Sequence, residues 1–155
     1  MALLAVDMGL RTGLALYEGT GRLVWYRSHN YGSTERLKQD VPRILESING
    51  LTALVIEGGG NLANVWLKEA ERRGKRVICI GAETWRPLFF YPREQKSGLA
   101  AKKYAGELAR NVIIWSGAKK PTALRHDAAE AILIGLWGVI RMGWIQELPR
   151  ELQRK

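Results

Sequence analysis

The alternation of apolar and polar positions divides the first part of the chain into short strands. Residues 2–6 form an apolar run that ends at Asp7, and such a run predicts a buried strand. Residues 14–17 and 23–26 predict two further strands, because the glycines in 19–21 mark a hairpin turn between them. We therefore expect three antiparallel strands at the start of the fold.

Helical spacing begins after the third predicted strand. Ser33 is a predicted N-cap, because apolar residues follow it at steps of three and four. Strands are predicted at 51–56 and 76–80, with a helix at 62–73 between them. The order strand, helix, strand implies parallel pairing, so the sequence predicts a mixed sheet of five strands.

The second half of the chain is mainly helical in its pattern. The predicted elements are a loop or broken helix at 82–96, a helix at 97–110, a short strand at 112–115 and a largely buried helix at 123–142. The residues after Pro149 are polar and are expected to fray. We predict one domain at 1–148, followed by a polar C-terminal tail at 149–155.

The composition predicts a soluble, cytoplasmic protein. Asp7 interrupts the apolar start, so no signal peptide is expected. The longest apolar stretch, 131–140, has about half of the ~20 residues needed to cross a bilayer, so we expect no membrane partner. Cys79 lies in an apolar run and is predicted to be a buried, inert thiol, which suits a reducing cytoplasm, either bacterial or that of a phage host.

The net charge of +9 is distributed unevenly. Residues 1–71 carry 7 basic and 8 acidic side chains, a net of −1, whereas residues 72–155 carry 17 and 7, a net of +10. Such an asymmetry is typical of a surface that binds a polyanion, most often nucleic acid. The alternative is that the excess of lysine and arginine only confers solubility.

Four carboxylates stand where the predicted strands and the last helix meet. Asp7 and Glu57 each end a strand, and Asp127 and Glu130 are three residues apart on one helix face. Taken singly, they also fit a turn former, a solvated strand end and a charge at a helix N-terminus. Taken together, they are expected to converge at the rim of one core.

Converging carboxylates need a compensating charge. Each one pushes its neighbours toward the neutral form, and a bound divalent cation reverses that balance. Oxygen ligands suit Mg²⁺, for which Mn²⁺ can substitute, better than they suit zinc. Two such ions about 3.5–4 Å apart can serve phosphodiester hydrolysis, one by activating water and the other by stabilising the leaving oxygen.

The ordered set of motifs resembles the RuvC-like Holliday-junction resolvases. The segments that carry the resemblance over roughly 1–140 are DMGLRTGLALY (7–17), LVIEGGGN (54–61), ETWRPLFF (83–90), KSGLAAKKYAGELA (96–109) and RHDAAEAILIG (125–135). The resemblance implies an α/β fold of the RNase H-like type, a five-stranded mixed sheet flanked by helices. It also implies a metal-dependent endonuclease that resolves four-way DNA junctions by paired symmetric nicks, acting as a homodimer.

By this resemblance, Asp7, Glu57, Asp127 and Glu130 match the catalytic, metal-binding acids. Many family members have aspartate where this chain has Glu130, and some place a histidine in the same motif, so His126 is a further candidate ligand. Alone, a histidine at this place is more often a capping or surface group.

Basic, amide and aromatic side chains supply candidate DNA contacts. The candidates are Lys96, Lys102, Lys103, Lys119, Lys120, Arg125 and Asn61. By resemblance, Lys102 is favoured among the lysines, although each lysine also fits an ordinary solvated surface. The aromatic cluster Trp85, Phe89, Phe90 and Tyr91 fits either base stacking or core and dimer contacts.

Three alternatives remain at this stage. An RNase H-like nuclease acting on other branched DNA or on RNA–DNA hybrids would use the same acids. A non-catalytic nucleic-acid-binding module is disfavoured, because four acids repel DNA unless a metal neutralises them. An actin-like ATP-binding fold shares an opening of aspartate and glycines but uses two domains to enclose its ligand, so we expect no nucleotide cofactor.

Overall fold

The computed structural model describes residues 1–96 and 98–154, with the side chains of 95 and 96 left out. The strands are β1 Ala2–Asp7, β2 Arg11–Glu18, β3 Leu23–Asn30, β4 Leu51–Glu57 and β5 Arg76–Ile80. The helices are α1 Thr34–Ser47, α2 Gly60–Arg72, α3 Ala82–Phe89, α4 Pro92–Lys96, α5 Gly98–Ser116 and α6 His126–Arg141. Among these described helices, none is long and apolar enough to span a membrane.

The strands form one mixed sheet in the order β3-β2-β1-β4-β5. β1, β2 and β3 pair antiparallel, and β4 and β5 extend the sheet in parallel from β1. This confirms the predicted meander and its parallel extension. β1 and β4 lie inside the sheet with both faces covered, which is why each reads as a continuous apolar run.

Each face of the sheet has its own core. One side of β1 and β4 packs against α1 and α2, and the other side packs against α3, α5 and α6. Helix α6 lies across β1, β2 and β4 and is buried almost all round, as predicted. Ser33 caps α1 by accepting a hydrogen bond from the backbone N–H of Arg36 at 3.2 Å, which confirms the predicted N-cap.

Two predicted elements of the second half differ from the structure. The short strand at 112–115 is wrong, because these residues continue α5, where Val112 and Ile113 are buried. The β-branched run suggests a strand locally, but packing of α5 against α6 decides the outcome. The segment 82–96 is a broken helix, formed by α3 and α4 with an extended Phe90 between them.

The expectations for Cys79 and for the tail are also wrong. Cys79 is exposed, because β5 is an edge strand. On the face of β5 that carries Val77 and Cys79, the core formed with α2 includes Val77 but does not extend to Cys79. The tail does not fray at 150–152, where a 3₁₀ turn directs Leu152 into the core with only 4% of its surface exposed.

Candidate active site

Two of the four acids meet at one end of the sheet. Asp7 and Glu57 are the last residues of the adjacent parallel strands β1 and β4, and they are direct partners in the strand register. Because side chains alternate along a strand, Asp7 shares a face with Ala5, and Glu57 shares it with Val55. That face is covered by α6.

Helix α6 brings the other two acids to the same place. Asp127 and Glu130 lie in its first turns, directly above β2 and β1. The approach depends on Gly13 of β2, where an added Cβ would lie 1.9 Å from the carbonyl oxygen of Asp127. A side chain at this position would therefore push the start of α6 off the sheet.

The electrostatics of Asp7 show that the four acids act on one another. Burial, a hydrogen bond with Glu57, and the charges of Glu57, Glu130 and Asp127 raise the pKa of Asp7 to about 9. A carboxyl group with this pKa keeps its proton at neutral pH when no cation is bound nearby. The other three acids thus lie close enough for their charges to act on Asp7.

Glu130 is held by two nitrogen donors on a single oxygen. Arg86 Nη2 and His126 Nε2 each lie 3.0 Å from its Oε1. Burial raises the pKa of Glu130, while the charges of Arg86 and His126 act against that rise. The other oxygen, Oε2, is buried and has no hydrogen-bond partner among the residues that the structure describes.

Asp127 is oriented by the neighbouring strand. Its Oδ2 accepts a hydrogen bond from Ser28 Oγ of β3 at 2.9 Å, and its Oδ1 accepts one from the backbone N–H of Ala128 at 2.9 Å. Ser28 of β3 is the register partner of Gly13 of β2. The pairing of these two strands therefore positions Ser28 beside the start of α6. The carboxylate is fixed at the start of α6.

The donor set fits a hard divalent cation, although its side chains are engaged with one another. In residues 1–96 and 98–154, no three acidic, histidine or cysteine side chains are arranged to hold an ion. Instead, Asp7 is hydrogen-bonded to Glu57, Glu130 Oε1 faces Arg86, and Asp127 faces Ser28. The unpartnered Glu130 Oε2 and the raised pKa of Asp7 are what a cation would relieve.

Arg86 and Ser28 are site residues that sequence reasoning did not single out. Arg86 stands in the segment ETWRPLFF, which carried the resemblance, but nothing local to that segment points to Glu130, 44 positions further on. Ser28 lies just beyond the predicted strand 23–26. In the structure β3 continues to Asn30 and pairs with β2, and this longer strand is what places Ser28 at the site.

The candidate DNA-binding residues fall on different surfaces. Arg125 is exposed directly before α6, and Lys119 and Lys120 are exposed in the connection leading to it. Lys102 and Lys103 are exposed on α5. The side chain of Lys96 lies outside the described residues.

Asn61 lies on the opposite face of the sheet from α6. It is exposed in the first turn of α2 and borders a groove of about 420 Å³ between α1 and α2, which Asn64 also lines. Before it, Gly58 has φ +119°, a conformation that favours glycine, so the chain turns sharply just after Glu57. The turn places α2 behind the sheet rather than beside the acids.

Most of the aromatic cluster belongs to the core. Trp85, Phe89 and Phe90 are buried and pack against one another at centroid distances of 5.8–6.2 Å for the pairs with Trp85. Tyr91 is 49% exposed, and the Arg154 guanidinium lies 4.2 Å from its ring centroid. The core alternative is therefore correct for three of these four residues.

Comparison with known proteins gives a match in structure. The chain is similar to RuvC of T. thermophilus, solved in complex with a Holliday junction substrate, with a TM-score of 0.61 and 18% sequence identity over 92% of this chain and 96% of that chain. No family model matches the sequence, and no curated protein matches it significantly. The mixed sheet flanked by helices and this similarity confirm the predicted RNase H-like fold.

Proposed function

We propose that the protein is a divalent-metal-dependent endonuclease that resolves four-way DNA junctions. The observation that carries this proposal is the convergence of Asp7, Glu57, Asp127 and Glu130 at one end of the sheet. These four residues stand at the motif positions that resemble the RuvC-like acids. The similarity of the fold to a protein solved with a Holliday junction substrate supports the same direction.

The four acids would bind Mg²⁺, with Mn²⁺ as a substitute, and we expect two ions per site. When bound, such ions supply an activated water and neutralise charge on the leaving oxygen. The protein's own contribution is to position the carboxylates. Ser28 orients Asp127, and Arg86 with His126 holds one oxygen of Glu130, which leaves the other oxygen available for coordination.

Exposed cations beside the acids would hold the DNA backbone. Arg125 precedes α6 by one residue, and Lys119 and Lys120 lie on the connection that leads to it. Phosphate contacts of this kind position a nucleic acid without reading its sequence. We include Lys102 and Lys103 of α5 in the same interface, on the basis of the motif resemblance.

Junction resolution requires two cuts, and one acidic cluster serves one strand at a time. A twofold homodimer supplies two identical sites related by symmetry. We therefore propose a homodimer that makes paired nicks. Light scattering should give twice the chain mass of 17.4 kDa. A plasmid that carries a cruciform should be converted mainly to its linear form. A monomer that releases singly nicked circles would contradict paired cutting.

A substrate panel tests the activity and separates it from its closest alternative. The protein is incubated in Mg²⁺ with a four-way junction, a flap, a linear duplex and an RNA–DNA hybrid of matched sequence. We expect the junction to be cut fastest and the linear duplex to be cut least. Preferential cutting of the hybrid would instead assign an RNase H-like activity to the same acids.

A further inference from the structure

A pocket at the outer edge of the sheet lies beside the candidate active site. It has a volume of about 330 Å³ and is formed by β3 and by the connection between α5 and α6. The lining residues used below are Val24, Trp25, Tyr26, Lys119, Lys120 and Pro121. None of the four acids lines it.

One wall of the pocket, at Tyr26, lies on the face of the sheet that carries the acids. Tyr26 packs against the α6-side core, and Ser28, two residues further along β3, donates a hydrogen bond to Asp127 Oδ2 at 2.9 Å. Two residues of a strand span about 6.6 Å. The wall of the pocket at Tyr26 therefore lies two residues along β3 from the serine that holds the Asp127 carboxylate.

The two walls of the pocket are fixed to each other. The Tyr26 hydroxyl donates a hydrogen bond to the carbonyl oxygen of Lys119, and the backbone N–H of Leu23 donates one to Ser116 Oγ at 3.0 Å. Arg22 also bonds the carbonyl oxygen of Trp115. The connection is thus held along β3 before any ligand arrives, as in a preformed binding site.

The chemistry of the lining suits a flat, apolar-faced ligand that carries an anion. Val24 is 44% exposed and, together with Tyr26 and Pro121, offers an apolar wall. Lys119 and Lys120 add two exposed cations, and no carboxylate belongs to the described lining. A nucleotide has both parts, since its base presents two apolar faces and its phosphate is an anion.

We propose that this pocket binds the base of the nucleotide next to the scissile phosphate, with Lys119 and Lys120 on that nucleotide's phosphate. The inference rests on the proposed nuclease activity and adds a specificity-determining surface to it. A base fully stacked and paired in a duplex cannot enter the pocket, whereas a base at a branch point is less constrained. The edge of β3 would therefore favour branched over linear DNA.

The test compares junctions with and without an abasic site next to the cut. Removal of that base should slow cleavage by wild-type protein by about tenfold, equivalent to about 1.4 kcal/mol, within the range of a stacking contact. Val24→Glu places bulk and negative charge in the pocket, so it should slow cleavage of the intact junction and abolish the further abasic penalty. The matched control is Ile114→Glu, at an aliphatic residue 63% exposed on α5 outside the pocket, and it should keep the wild-type penalty.

A binding measurement separates the pocket from the nuclease. A 2-aminopurine is moved through the branch-point strand, and its fluorescence is recorded in EDTA with each protein. One position should respond with wild type and Ile114→Glu but not with Val24→Glu. The pocket proposal is overturned if the protein cuts junctions but no 2-aminopurine position responds in a way that Val24→Glu abolishes. It is also overturned if Val24→Glu keeps the full abasic penalty. In both cases the proposed nuclease activity is retained. A Val24-dependent position in a protein that cuts no DNA supports the pocket as a base-binding site and overturns the proposed activity.

Discussion

At the residue scale, the two oxygens of Glu130 have different surroundings. Arg86 and His126 converge on Oε1, and Oε2 is buried without a described partner. A carboxylate held in this way keeps a fixed orientation, and residues that orient metal ligands typically contribute 10–100-fold in metal affinity. Arg86 is thus assigned a positioning role through Glu130.

Arg86→Ala should raise the Mg²⁺ concentration needed for half-maximal cleavage by about 10–100-fold. Burial raises the pKa of Glu130, and loss of the guanidinium removes the largest influence opposing that rise, so the carboxyl group holds its proton more tightly. Calorimetric titration with Mn²⁺ should show a parallel loss of affinity. Arg86→Lys keeps the charge and should recover part of it.

The matched control for Arg86 is Arg141→Ala, at the exposed last residue of α6. It removes the same charge at the far end of the same helix and should leave the Mg²⁺ requirement unchanged. An Arg86→Ala protein that binds Mn²⁺ as tightly as wild type would contradict the positioning role.

Stability in EDTA should fall as the pH rises from about 5 to about 8. The pKa of Asp7 is raised from 3.8 to about 9 in the folded chain, so the folded state binds a proton that the unfolded state releases across this window. Urea denaturation at the two pH values measures the effect. Asp7→Asn should reduce the pH dependence, and Mg²⁺ should stabilise the wild type most at about pH 8.

The control for this pH dependence is Glu18→Gln, at the exposed end of β2 remote from the acids. It should behave as wild type. An Asp7→Asn protein with the full wild-type pH dependence would mean that Asp7 does not carry the raised pKa.

At the scale of elements, the site depends on how closely α6 approaches β2. Gly13→Ala would place a Cβ 1.9 Å from the Asp127 carbonyl oxygen, and backbone on both sides leaves little freedom to move. Overpacking of this kind costs about 1–3 kcal/mol of stability. The substitution should also move Asp127 and Glu130 away from Asp7. The rate of cleavage should therefore fall by more than the loss of folded protein accounts for.

Thermal unfolding and cleavage below the melting range test the Gly13 prediction together. Gly98→Ala is the matched control, since no described atom lies within 4 Å of its added Cβ. Normal cleavage by a folded Gly13→Ala protein would show that the acids tolerate a shifted α6.

The sequence predicted these elements where the signal is local. β1 and β4 read as apolar runs ending in acids because both of their faces are buried, and the spacing of Asp127 and Glu130 fixes them on one helix face. The strand predicted at 112–115 failed because packing against α6 overrides the preference of β-branched residues. The partner Arg86 was out of reach because its contact with Glu130 depends on how α3 packs on α6.

At the scale of the whole molecule, the charge is concentrated in the second half of the chain, at net +10 for residues 72–155. Part of it lies on the connection to α6 and faces β3, and Arg22, directly before β3, donates a hydrogen bond to the carbonyl oxygen of Trp115. Arg27 stacks on Trp25 at 4.0 Å, on the side of β3 that faces α1. The proposed DNA surface therefore takes its basic residues from the second half of the chain.

Binding of a four-way junction should weaken steeply between about 50 and 200 mM salt. Lys119→Glu with Lys120→Glu should lower the affinity and reduce the slope of log K against log salt by about 1, because both lysines are assigned to a single phosphate. Lys75→Glu with Arg76→Glu is the matched control, because this adjacent pair lies at the start of β5, at the end of the sheet away from the acids. Equal losses from both pairs would mean that the DNA surface is misplaced.

The central claim is that the four converging acids cut DNA, and cleavage of a labelled four-way junction in Mg²⁺ tests it most directly. Wild type is compared with Asp7→Asn, which keeps the shape of the side chain but cannot ionise to bind a cation, and with Glu18→Gln, which alters a strand-ending carboxylate at the opposite end of the sheet. We expect wild type and Glu18→Gln to cut alike, and Asp7→Asn to bind the junction but cut at least about 100-fold more slowly, because metal-dependent charge stabilisation is worth several kcal/mol. Asp7→Asn cutting at the wild-type rate, or wild type cutting equally well in EDTA, would contradict the account.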